Sequence, residues 1–151
     1  MDRYENDAKH NLAETCCASV SLDDLRVLSG HEMDLIDYSQ KQVYGAIRGS
    51  QLLRSNIARL YSSKTFNPLR PEDVLVTNGA IHANFLALYT NVGPGDHVIC
   101  HYPTYQQLYS VPQSFGVEVS LWKSSEEKGW QLDVSELKSM IKPNTKLIVL
   151  K

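Results

Sequence analysis

Cysteine is scarce. Cys16, Cys17 and Cys100 cannot build a disulfide framework, and they read as small, semi-buried residues of a reduced compartment. Excess charge of one sign is also missing. Fifteen basic against 17 acidic residues give a formal net charge of -2, so there is no electrostatic case for nucleic acid or an anionic membrane surface. No apolar run approaches the roughly 20 residues of a membrane span. The opening stretch MDRYENDAKHNLAE is polar and acidic, unlike a secretory signal or a typical transit peptide. Together these absences predict a cytoplasmic protein. A metal cluster is lacking as well. His97 and His101 with Cys100 come nearest, but on a strand the two histidines stand roughly 13 Å apart, too far to share one ion.

What is present is a chain of 151 residues, 42% apolar and 21% charged, enough for one soluble domain with a substantial core. Its most informative stretch is residues 74–105, VLVTNGAIHANFLALYTNVGPGDHVICHYPTY. Residues 74–76 read as a short strand that Thr77, Asn78 and Gly79 interrupt. Ile81, Phe85, Leu88, Tyr89 and Val92 then recur at helical spacing, which predicts a helix over 80–91. A helix start directly after Gly79 presents free N–H groups and the positive end of the dipole, an anion site. By itself a glycine there is more often just a sharp turn. Gly93, Pro94, Gly95 and Asp96 carry the signature of a type II turn. A strand follows at 98–100, and Tyr105 lies past its end, where open α/β sheets place ligands. A phosphate-accepting helix start beside an aromatic platform suits a flat, phosphorylated cofactor.

In this stretch, and in YGAIRGSQLLRSNIARLY upstream with Tyr44, Gly45, Gly49 and Arg54, the chain resembles the fold-type I, pyridoxal-phosphate-dependent aminotransferases of the class I/II family. The similarity runs from about Leu22 to Lys151. It implies an α/β fold, a partial parallel sheet of the aminotransferase large domain in a three-layer αβα arrangement. Residues 1–43 would be an arm belonging to the small domain, and residues 44–151 the first half of the large domain. The resemblance places the phosphate of pyridoxal 5′-phosphate at Gly79, Ala80 and Ile81, with Asn78 stabilising the turn through its side chain. Tyr105 would stack on the cofactor ring, and Tyr44 would reach the phosphate of a second subunit in a homodimer. Arg54 would be structural. Tyr102 and Tyr109 are expected in the core, and His82 in a surface or packing role.

Transamination between an amino acid and a 2-oxo acid is the implied activity. The family's Schiff-base lysine and the groups that hold the ring and the substrate carboxylate are placed after the KLIVLK strand. None of Lys123, Lys128, Lys138, Lys142, Lys146 or Lys151 matches that lysine. The expectation is an N-terminal part of such an enzyme, inactive alone, with weak or absent cofactor binding. The rival expectation is a non-catalytic α/β module that binds phosphate or a homologous partner.

Elsewhere, Ser21 caps a short helical turn, residues 29–31 form a loop, and Ser50 caps a helix to about Ser62. Residues 106–115 form a helix that Pro112 kinks or splits. Residues 117–122 form a strand, Trp130 anchors a loop end, and Asp133 with Glu136 caps a helix. Residues 146–150 form a strand of the kind buried on both faces of a parallel sheet. The alternation is β-α-β-α-β-α-β, with the 98–100 strand central. The 74–77 strand should stand detached, because its family neighbours come later in the chain.

Overall fold

The computed structural model describes residues 7–10, 17–30 and 36–151. It divides into two compact units, Met1–Val43 and Tyr44–Lys151. In the first unit, helix α1 (Leu22–Ser29) opens on a capping box. The Ser21 side chain accepts from the Asp24 N–H at 3.0 Å, and the Asp24 carboxylate accepts from the Ser21 N–H at 2.8 Å. Ser29, expected in a loop, ends this helix, and Gly30 terminates it at φ 66°. Much of the arm expected over residues 1–43, with Cys16 and the end of the expected 29–31 loop at His31, lies outside the described residues. Cys17 is exposed.

The second unit is built on a parallel three-stranded sheet in the order β2-β1-β3, where β1 is His97–Tyr102, β2 Glu118–Lys123 and β3 Thr145–Val149. The predicted central strand is therefore central. Helices α2 (Gln51–Ser62), α3 (Gly79–Asn91), α4 (Gln107–Ser114) and α5 (Val134–Met140) complete the unit. Val98, Ile99 and Cys100 of β1 are fully buried, as an apolar strand flanked by two neighbours should be. Val92, Val98 and Val117 form the core cluster, with Phe115, Val119, Leu147 and Val149 packed on it. The turn into β1 is type II: Gly95 has φ 87°, and the Asp96 N–H donates to the Gly93 carbonyl at 3.0 Å.

Four expectations need correction. Strand β3, expected to be buried on both faces, is an edge strand with no fully buried residue, and its Ile148 is 41% exposed. Residues 74–77 stand detached from the sheet, as expected, but they join no ladder and so form no strand. They run beside the turn before α2, where the Val76 N–H donates to the Arg48 carbonyl at 3.1 Å. An apolar, β-branched stretch becomes a strand only where a neighbour offers a ladder, and none among the described residues does. Pro112 does not split α4, which is one eight-residue helix with Pro112 buried inside it. The loop after β2 is anchored by Trp122, not Trp130. Trp122 is 4% exposed and its Nε1 donates to the Asp133 carbonyl at 3.1 Å, whereas Trp130 is 59% exposed.

Gly49 is where the 74–77 segment meets the turn. It sits at φ 94°, and a Cβ added there would lie 2.5 Å from Val76 Cγ2. Arg54 holds the same corner, donating to the carbonyls of Gly49 at 3.1 Å and Pro71 at 2.7 Å. Replacing Gly49 with Ala should therefore combine backbone strain with a clash, costing about 1–3 kcal/mol in urea unfolding. A neutral substitution would show that the corner relaxes freely.

His97 opens β1 with no exposed surface. Its Nδ1 lies 2.7 Å from Thr145 Oγ1 on β3, and its Nε2 2.8 Å from Ser120 Oγ on β2. The Thr145 hydroxyl also accepts the Lys142 N–H at 2.8 Å, and because each hydroxyl can donate as well as accept, a neutral ring satisfies the set. Burial, and secondarily the Lys142 charge, hold its pKa below the ordinary 6.5, and the Glu118 charge opposes them. Below about pH 6.5 the unfolded chain takes up a proton that the folded one refuses. Stability should fall as pH drops through that region, and His97→Asn should flatten that slope in denaturant titrations between pH 7 and 5.

Candidate functional site

Helix α3 is 13 residues long and starts without a side-chain cap. Asn78, expected to brace the turn, makes no cap hydrogen bond. Its neighbour does the bracing: Thr77 Oγ1 donates to the Gly79 carbonyl at 3.0 Å, and the Gly79 N–H donates to the Thr77 carbonyl at 2.9 Å. The threonine hydroxyl binds a carbonyl of the turn, so the first N–H groups of the helix are left without a side-chain acceptor. Gly79 has φ 79° and open space around its Cβ position, so it is glycine for backbone freedom and leaves the helix start uncovered. The first-turn N–H groups of Ala80 and Ile81 thus face the dipole's positive end with no side chain competing for them.

Tyr105 lies in the loop after β1, at the carboxyl end of the parallel sheet, and the residue is 46% exposed. The Lys151 ammonium sits 5.1 Å from the ring centroid. In the same loop Thr104 Oγ1 is enclosed without a hydrogen-bond partner. Tyr102 and Tyr109, expected in the core, pair edge to face at 6.0 Å, but Tyr102 is 37% exposed and Tyr109 only half-buried, because the pair lies at the open carboxyl end of β1. Tyr44 is fully exposed, and His82 is exposed on the first turn of α3.

One residue that the sequence did not single out joins the two parts. Gln107 Nε2, at the start of α4, donates to the Ile81 carbonyl at 2.6 Å, and its Oε1 accepts from Asn84 Nδ2 at 3.2 Å. A glutamine at an exposed-looking helix start carries no sequence signal of such a link.

Other chemistries find no support in this geometry. Among the described residues no group of three His, Cys, Asp or Glu is placed to hold a metal ion. His97 and His101 bond separately, His101 Nε2 lying 3.3 Å from Ser124 Oγ. Cys100 is fully buried, and burial pushes its thiol pKa up, away from nucleophilic use. Lys142 is engaged by Glu118, and Lys128 by Glu136 at 3.6 Å. No helix among the described residues is long and apolar enough to cross a membrane.

The family model described as aminotransferase class I and II matches residues 20–151. An aspartate aminotransferase of Sulfurisphaera tokodaii is 39% identical over 110 residues, 71% of this chain and 27% of the relative. A tyrosine aminotransferase of Mus musculus is 28% identical over 117 residues, 78% of this chain and 26% of the relative. Among solved structures, a PLP-dependent aminotransferase of Streptococcus suis gives a TM-score of 0.82 at 42% identity, covering 95% of this chain and 38% of the other. The aspartate aminotransferase of Thermotoga maritima gives 0.64 at 27% identity, covering 82% and 31%. The chain spans about a quarter of the length of these curated relatives.

Proposed function

The chain belongs to the class I and II aminotransferase family, and from that premise we propose that residues 44–151 form the cofactor-cradling first half of a pyridoxal-phosphate-dependent aminotransferase large domain. The observation that carries this reading is the uncapped start of α3, tied through Gln107 to the helix that follows Tyr105. Residues 1–43 would contribute to the small domain.

The residues present fit pyridoxal 5′-phosphate. Its phosphate needs N–H donors free of competing acceptors and room for close approach, which the Gly79 turn offers. Its ring needs a flat, accessible face, and Tyr105 presents one. The unpartnered Thr104 hydroxyl in the same loop is an additional polar group within that region of the fold. Ala80 and Ile81 would bind the phosphate through their N–H groups and Tyr105 would orient the ring. Asn78 makes no cap hydrogen bond, which would leave its side-chain amide free for the cofactor. The exposed Tyr44 would donate its phenol hydrogen to the phosphate held by a second subunit of a homodimer.

When bound, the cofactor supplies an electron sink that lets the amino group of an amino acid pass to a 2-oxo acid. In this reading these residues bind and orient, and proton transfer falls to groups outside the matched stretch, which covers 27% of the Sulfurisphaera tokodaii relative. The assembled enzyme would work in the cytoplasm, and the chain alone would turn over no amino acid. Turnover by the chain alone overturns that division of labour.

The test joins this chain to the remaining length of the Streptococcus suis relative and follows cofactor retention through gel filtration by visible absorbance. The fusion should retain cofactor. Tyr105→Ala should weaken retention by roughly two- to tenfold, the worth of an aromatic contact beyond its buried area. Tyr102→Ala and Tyr109→Ala should weaken it less. Equal losses at all three would make Tyr105 a packing residue. A correctly folded fusion that holds no cofactor would favour the rival reading, a module that binds phosphate or a homologous partner without chemistry.

A further inference from the structure

We propose that Gln107 is a positioning residue that sets the spacing between the phosphate-binding start of α3 and the Tyr105 ring, an assignment that rests on the cofactor reading above. A rigid ligand with a charged group at one end and a flat ring at the other is sensitive to how its two anchors are spaced. Each anchor can bind its own half, but the gain from binding both is lost when the spacing drifts.

The structure shows what holds that spacing. The far ends of the two helices meet through one aromatic contact: Tyr89 of α3 meets Phe115, the C-cap of α4, edge to face at 5.9 Å. Within α3, Phe85 stacks on Tyr89 at 5.6 Å and steadies that ring. At the N-terminal ends the packing is thinner, and Ile81 is 55% exposed. There, among the described residues, Gln107 makes both side-chain hydrogen bonds between α3 and α4.

Its placement is specific. Ile81 is a first-turn residue whose N–H faces the anion and whose carbonyl, with two lone pairs, accepts from Gln107 Nε2 at 2.6 Å as well as serving the helix. Gln107 stands two residues beyond Tyr105, and the Tyr105 carbonyl accepts the Leu108 N–H at 3.0 Å, so the Tyr105 backbone is part of the first turn of α4. Asn84 takes up the Gln107 carbonyl oxygen at 3.2 Å, which fixes the amide orientation and aims its NH2 at Ile81. The amide therefore spans the two anchors with both ends occupied.

Titration of the 151-residue chain with pyridoxamine 5′-phosphate, which does not condense with lysines, and in parallel with inorganic phosphate tests this. Amide shifts of Ala80 and Ile81 report the phosphate anchor, and ring shifts of Tyr105 report the platform. The unaltered chain should bind the pyridoxamine ligand more tightly than phosphate, with both probes moving at one Kd. Gln107→Met, equal in length but without hydrogen bonds, should raise the Kd for pyridoxamine 5′-phosphate roughly three- to tenfold. It should leave the Kd for inorganic phosphate unchanged. Gln107→Glu, which still accepts from Asn84 but cannot donate to Ile81, should show the same split. Should Gln107→Met lose the amide pattern of β1, Asn84→Ala decides, with a smaller loss confined to the pyridoxamine ligand. Equal weakening of both ligands, or of neither, overturns the positioning role while leaving the cofactor reading intact. Where the unaltered chain binds too weakly to shift Ala80 and Ile81, the same titrations are read in the fusion to the Streptococcus suis remainder, and absence of shifts there too overturns that reading and the positioning role with it.

Discussion

Strand β1 is bonded along both edges, and the rest of the second unit hangs from it. The turn that delivers the chain to β1 also ties the starts of its neighbours. The Gly95 N–H donates to Gly116 ahead of β2, Asn144 Nδ2 donates to the Gly95 carbonyl, and the His97 N–H donates to the Asn144 carbonyl ahead of β3. His97 then spans all three strands through Ser120 and Thr145. The amino ends of the sheet are thus locked by a buried polar set that is fully satisfied with a neutral ring, which is what makes such a set stabilising rather than costly. Parallel register carries this order to the other end, where the Ser124 N–H donates to the Tyr102 carbonyl at 2.8 Å and the chain leaves toward Tyr105. Rigidity at the amino ends and ligand-facing loops at the carboxyl ends follow from one strand.

How much of this was legible depended on whether the controlling contact was local. Strands β1, β2 and β3 announce themselves by apolar, β-branched runs between turn residues, and the turn before β1 by Pro94 followed by Gly95. Caps at Ser21, Ser50 and Asp133 were readable because a cap is decided within three residues. Residues 74–77 were misread as a strand because strand character is conferred by a partner, and here the partner surface is the turn at Arg48 and Gly49. Trp122 and Trp130 could not be ranked, since the difference lies in whether Asp133, the N-cap of α5 eleven residues after Trp122, supplies a carbonyl.

The candidate site divides along the same line. Gly79, Ala80, Ile81 and Tyr105 were reachable from turn and strand positions, with their roles supplied by the family resemblance. Thr77 and Asn78 were interchangeable on propensity, and only backbone angles decide which side chain braces the turn. Gln107 was invisible, because its two partners lie 23 and 26 positions earlier in the chain and a single glutamine has no periodicity.

Helix α3 connects the stability of the unit to its affinity for an anion. Its sequence is apolar on nearly every face, the pattern of a helix enclosed by neighbours, yet Leu88 is its single buried residue. Ile81, Phe85 and Tyr89 are between 41% and 61% exposed. Water around the first turn screens the N–H groups of Ala80 and Ile81, so the dipole there is worth roughly 0.3–1 kcal/mol to an anion. Any protein surface that covered these apolar residues would do two things at once. It would remove apolar area from water, and it would lower the effective dielectric around the first-turn N–H groups, strengthening their hold on a phosphate. The residues that make α3 unfavourable to expose are therefore the same ones whose burial would turn a weak anion site into a strong one.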